Sequence, residues 1–185
     1  MNTVKMNAMW SQRNLGWAQA ALLFGVCGAA SSQLLNIDDW GTYLLPIPFG
    51  ILAAWLLVGG IVPGICLVVL DAAVWQAAYR LAIRFAEGGP TVQRVAAMYL
   101  AGLVGGLGVS LAAAICQRRA PSMRSVGITA LAGGFCGLPF AWWVISGKDV
   151  PIPDWAFSTL CFTLWQAAVG VCLWRGFRLE KPESV

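Results

Sequence analysis

Apolar residues gather in six long runs, spanning roughly residues 15–35, 43–60, 61–83, 95–116, 126–146 and 155–174, with short polar stretches between them. A helix that crosses the hydrocarbon core of a bilayer needs roughly 20 apolar residues. Each run is of that order. The pattern therefore predicts an all-α, polytopic integral membrane protein: one membrane domain over residues 1–185, built as a six-helix bundle. The second and third runs are separated only by Gly59-Gly60-Ile61-Val62-Pro63-Gly64. Glycine permits positive φ and proline breaks the helical ladder, so two helices are expected there. A single kinked helix would need about 40 residues, twice one crossing. The first run begins near residue 15 and is longer than the core of a secretory signal, with no small-residue cleavage pattern after it, so it is expected to stay as a helix.

Composition agrees. The chain is 59% hydrophobic and 11% charged, with a mean hydropathy of +0.72. A soluble domain is usually nearer half apolar and a quarter charged, and a disordered chain needs the opposite balance. Lipid is the remaining solvent.

The net charge of +4 comes from 12 Lys and Arg against 8 Asp and Glu. These cations lie between apolar runs rather than in a basic stripe with interleaved aromatics, which argues against nucleic acid. They orient the chain instead. With six crossings and a cytoplasmic N-terminus, Lys5, Arg13, Arg118, Arg119, Arg124, Arg175, Arg178 and Lys181 lie inside. Arg80, Arg84, Arg94 and Lys148 lie outside, a count of 8 against 4. Asp38, Asp39, Glu87, Asp149 and Asp154 also fall outside. The positive-inside rule then places both termini in the cytoplasm, in a cell inner or plasma membrane. The basic third loop is the exception. Asp39-Trp40 and Asp154-Trp155 open the second and sixth runs, where an acid complements the helix dipole and a tryptophan suits the headgroup level.

Small residues predict where helices approach. Gly102 and Gly106 share GxxxG spacing, as do Gly133 and Gly137, and Ala21, Gly25 and Ala29 lie on one face. Intramolecular packing is the first reading and a homo-oligomer the second.

The two halves share ordered landmarks. Pro48-Phe49 recurs as Pro139-Phe140, Trp55 as Trp143, Val62-Pro63 as Val150-Pro151, and Trp75-Gln76-Ala77-Ala78 as Trp165-Gln166-Ala167-Ala168. A repeat of three helices would be inverted, a recurring transporter design. The Asp-Trp pairs and the loop charges do not follow that repeat. Its Gly- and Pro-interrupted segments are Leu45-Pro46-Ile47-Pro48-Phe49-Gly50 and Gly133 to Phe140, with Pro48, Pro63 and Pro139 as hinge candidates.

Asp71 is the one acid well inside a run, and a carboxyl at that depth is a functional candidate by default. Trp75, Ala78, Tyr79 and Ala82 share its helical face. Gln76 and Gln166 add amides, and Thr159 and Thr163 extend a polar stripe beside Gln166. Asp71, Gln76, Gln166, Trp75 and Tyr79 are thus the candidates for lining a path. Each has a bland alternative, an interhelical hydrogen bond or plain packing. Arg80 and Arg84, one turn apart, read as snorkelling anchors before they read as an anion vestibule.

Catalysis is not expected. There is no histidine, no paired carboxylate at helical spacing and no phosphate-cradling loop. Six cysteines, Cys27, Cys66, Cys116, Cys136, Cys161 and Cys172, lie in or beside apolar runs and make no Cys-x-x-Cys pair, so neither metal nor cofactor is expected. The function expected is movement of a small solute or ion across the membrane. The alternative is a non-catalytic membrane partner: an immunity, stress or defence factor, or the substrate-capturing subunit of a larger importer.

Overall fold

The computed structural model describes residues 15–35, 40–58, 60–119, 121–146 and 152–179. These residues are helical almost throughout, with no strand among them. The elements are α1 (Trp17–Leu34), α2 (Gly41–Leu44), α3 (Ile47–Leu57), α4 (Ile61–Ala86), α5 (Thr91–Gln117), α6 (Met123–Ser146) and α7 (Asp154–Leu179).

Among the described residues, four helices, α4 to α7, are long and apolar enough to cross a membrane. At 24 to 27 residues they extend roughly 36–40 Å. The first two expected crossings are less uniform. α1 has 18 residues and ends on Ser31-Ser32-Gln33-Leu34, which dilutes its apolar character. The second run is in two pieces, Gly41–Leu44 and Ile47–Leu57. The separation of the second and third runs holds: α3 stops at Leu57, and α4 starts from Gly60 as its N-cap. Gly64, expected in that turn, lies inside α4. Gly59, Lys5, Arg13, Asp38, Asp39, Lys148, Asp149, Val150-Pro151 and Lys181 lie outside the described residues.

The helices pack in chain order and close on themselves. α1 meets α3, α3 meets α4, then α5, α6 and α7 follow, and α7 returns to α1. Each flank carries exposed apolar side chains: Leu22 and Val26 on α1, Ile51 on α3, Ile65 and Val69 on α4, Leu100 and Leu111 on α5, Leu131 and Phe135 on α6, and Leu160 and Leu164 on α7. Such a belt is unfavourable against water and matches lipid.

Consecutive helices run in opposite directions, which gives the ring two distinct ends. At one end Arg178 of α7 donates to the Leu15 carbonyl, and Arg119 after α5 donates to the Phe177 carbonyl at 3.4 Å. This end is solid. Phe24, Ala53, Leu67, Val109, Ala113, Val169 and Leu173 pack into it. The other end holds the C-termini of α1, α4 and α6, and there the ring is open inside. The turn from α4 to α5 at that end uses Gly88 at φ +67°, a conformation glycine adopts without a Cβ clash.

Glycines set the closest approach. A Cβ on Gly102 would fall on the Gly133 carbonyl, and one on Gly133 would fall on the Gly102 carbonyl. Gly106 and Gly137 meet the Thr129 and Met98 carbonyls in the same way. The GxxxG pairs of α5 and α6 thus serve packing within the chain. On α1 the decisive glycine is Gly28, which sits against the Phe162 carbonyl and the Thr163 Cα of α7, while Gly25 meets only side-chain atoms.

The three hinge candidates separate. Pro48 is the second residue of α3 and Pro63 the third of α4, positions where a helix has no i−4 bond to lose. Pro139 alone of the three lies inside a helix, α6, where it removes an N–H from the ladder. Pro48 and Pro139, expected from sequence to correspond, therefore do different local work.

Candidate functional site

Between the open halves of the helices lies a cavity of about 350 Å³. Helices α2 to α7 shape it, with Leu35 at the end of α1. Pro46 and Phe49 come from the α2–α3 segment, Asp71 and Trp75 from α4, Gly102 and Gly105 from α5, Phe140 and Trp143 from α6, and Phe162, Trp165 and Gln166 from α7. Glycines make the room. Gly105 leaves space for the Trp165 ring, whose edge would stand 3.0 Å from an added Cβ, and Gly50 leaves space for the Asp71 carboxyl, 3.1 Å from its own.

Asp71 and Gln166 form the deep, polar part of the lining. Both are buried, at 5% and 2% exposure. Asp71 Oδ2 has no hydrogen-bond partner among the described residues, and neither has Gln166 Oε1. The Gln166 Nε2 donates to Ser31 Oγ of α1 at 2.9 Å. Whichever way that amide is turned, one of its two polar atoms is unmatched. Two buried groups in one lining with unused hydrogen-bonding capacity are costly to keep in a packed bundle. A ligand would relieve that cost.

The aromatic wall is continuous. Trp75 and Phe162 have ring centroids 5.6 Å apart, Phe140 and Phe162 5.0 Å, Trp75 and Trp165 6.2 Å, and Phe49 and Trp165 6.0 Å. Among the described residues, no Lys or Arg lines the cavity. Tyr79, at 37% exposure, and Ile83 stand toward the open end.

No known protein family, curated protein or solved structure matches this chain. The functional reading therefore rests on these residues.

Of the residues singled out from sequence, Asp71, Trp75, Tyr79 and Gln166 line the cavity together, and Ala78 and Ala82 on the same face join them. Gln76 does not line it. Its Nε2 donates to the Thr42 carbonyl at 3.0 Å, alongside Trp75 Nε1 at 3.1 Å. Pro46 explains this pairing. Four residues beyond Thr42, it has no N–H to give that carbonyl, and a carbonyl left open in an apolar segment must find another donor. α4 supplies two.

A consequence is measurable. Gln76→Leu removes one of two donors to Thr42 and is expected to cost about 1 kcal/mol. The melting temperature in detergent should fall by roughly 2–4 °C for a chain of this size, with ligand binding unchanged. A Gln76→Leu variant with native stability and lost binding would return Gln76 to the site.

Sequence reasoning missed the α1 side of the site. Ser32 Oγ and Thr159 Oγ1 are 2.8 Å apart, and Gln33 Nε2 donates to Thr159 at 3.3 Å. With Ser31 on Gln166, these bonds sew α1 to α7. The Ser31-Ser32-Gln33 run was the available signal, as three polar residues ending an apolar stretch. The described residues contain no group of three or more His, Cys, Asp or Glu able to hold a metal ion.

Proposed function

We propose that this chain carries a small solute across a cell membrane, taking it up from one face into the cavity that ends at Asp71 and Gln166. In this reading the ring crosses the bilayer six times, α2 and α3 together making one crossing, with both termini cytoplasmic. The cavity then faces away from the cytoplasm. The observation that carries the reading is the cavity itself: it reaches a buried, unpartnered carboxyl from one end of the bundle, while the opposite half is packed shut. One open and one sealed end is the arrangement that alternating access requires of a resting carrier. Release to the other face needs the packed half to part. The Pro46 interruption and Pro139 are the places where the ladder already lacks bonds.

A second reading draws on the same closed half. A membrane partner that captures a ligand and passes only a conformational signal would also keep its apolar half sealed. One experiment separates the two. The full chain is reconstituted in proteoliposomes, and charge movement is recorded on a solid-supported membrane as amine, amino acid, sugar and carboxylate solutes are applied in turn. Currents above those of empty liposomes for one class support carriage. Saturable binding without any current supports the partner, and silence in both assays refutes both.

A further inference from the structure

We infer that the cavity recognises a compact organic ammonium, a protonated amine with an apolar body, seated with its nitrogen against Asp71 and its body along the Trp75–Trp165 wall. This inference rests on the cavity serving as the solute site proposed above.

Charge comes first. Asp71 is the only acid among the described residues of the lining, and no Lys or Arg accompanies it among them, so the described lining holds one unmatched carboxyl and nothing to attract an anion. Burying a charge is unfavourable without a partner, and a ligand that brings a positive nitrogen supplies one. Shape and surface exclude the smaller cations. A bare metal ion needs several oxygen or nitrogen ligands. The described residues hold no cluster of three such acidic, His or Cys groups, and the rest of the wall is mostly aromatic and aliphatic. A cavity of about 350 Å³ is also far larger than one ion requires. It lies at the small end of sites for organic ligands, which run from about 300 to 1,000 Å³.

The aromatic wall completes the match. Tryptophan faces attract cations through the ring quadrupole. Trp75 has its N–H committed to the Thr42 carbonyl, so toward the cavity it has only ring surface to offer. An alkyl- or arylammonium would set its nitrogen against the Asp71 carboxyl and its C–H surface on Trp75 and Trp165.

Benzylammonium, benzyl alcohol and benzoate form a test series of nearly constant size and differing charge. Binding to the purified full chain in detergent is measured by equilibrium dialysis with radiolabelled ligand. The expected result is saturable binding of one benzylammonium per chain, at least about tenfold weaker binding of benzyl alcohol, and none of benzoate. Asp71→Asn should weaken benzylammonium at least about tenfold and leave benzyl alcohol unchanged. The wild-type series tests the idea without that variant. Benzyl alcohol binding as tightly as benzylammonium, or no saturable benzylammonium binding, overturns the inference. The proteoliposome currents report separately on carriage. Currents for another solute class, without benzylammonium binding, sink the inference and keep the carrier. Benzylammonium binding without current keeps the inference and sinks the carrier.

Discussion

Asp71→Asn is expected to reduce solute-evoked currents about a hundredfold while leaving the bundle as stable as before, or more so. The carboxyl is 5% exposed, and its Oδ2 has no partner among the described residues, so it contributes little to holding α4 in place. Asparagine has nearly the same shape and no charge, which removes a cost from the empty site. The loaded site loses its ion pair. Leaving one charge of such a pair unmatched in a dry site costs about 3 kcal/mol or more, which is about a hundredfold in affinity. A role confined to structure would give the opposite pattern, with the melting temperature falling and currents per folded molecule preserved. Recording both quantities on the same preparation decides between them.

Gly102→Ala is expected to have the largest effect on folding. The added methyl would land on the Gly133 backbone carbonyl, at the most extensive helix–helix contact among the described residues, α5 on α6. Backbone has no rotamer with which to move aside, so the two helices must separate locally. The cost expected is about 3 kcal/mol, toward the upper end for overpacking a close-packed site. Gly127→Ala on α6 is the matched control, because a Cβ there meets nothing within 4 Å. That change should be neutral or stabilise by up to about 1 kcal/mol, the helix-propensity gain from glycine to alanine. Thermal unfolding of both variants in detergent checks the contrast. Equal shifts for the two would contradict the packing described for α5 and α6.

Much of the site is legible in the amino-acid pattern alone. The spacing that puts Trp75, Ala78, Tyr79 and Ala82 on the face of Asp71 is a property of one helix, and one helix is what local periodicity describes. Gln166 is legible as an amide within an apolar run. The role of Gln76 is not, because it depends on two elements at once. Counting back four residues from Pro46 identifies the Thr42 carbonyl as open, but only the packing of α4 beside α2 shows which side chains close it. Gly28 is hidden for a similar reason: its neighbours on α7 are more than a hundred residues away in the chain. Reading α1 as one more uniform crossing gives its polar end too little weight. Ser31, Ser32 and Gln33 bond to α7, and the bonds of Ser31 and Ser32 compensate for burying those two hydroxyls.

The repeat illustrates how far sequence landmarks go. Trp75 and Trp165, which the sequence landmarks pair, meet edge to face in the cavity wall. Gln76 and Gln166, which the same landmarks pair, have different partners, and α1 on α3 is a far slighter contact than α5 on α6. Any common ancestry of the halves would have to accommodate those differences.

Side-specific labelling tests the central claim most directly. Ala78 on α4 lines the cavity, whereas Leu67 on the same helix is buried in the closed half. In a background with the six native cysteines replaced by alanine, Ala78→Cys and Leu67→Cys would be exposed to a membrane-impermeant maleimide in right-side-out and inside-out vesicles. The account predicts that Ala78→Cys reacts from the non-cytoplasmic face and that Leu67→Cys stays inert from both. An Ala78→Cys that is unreactive from either side, or reached only from the cytoplasm, would contradict it.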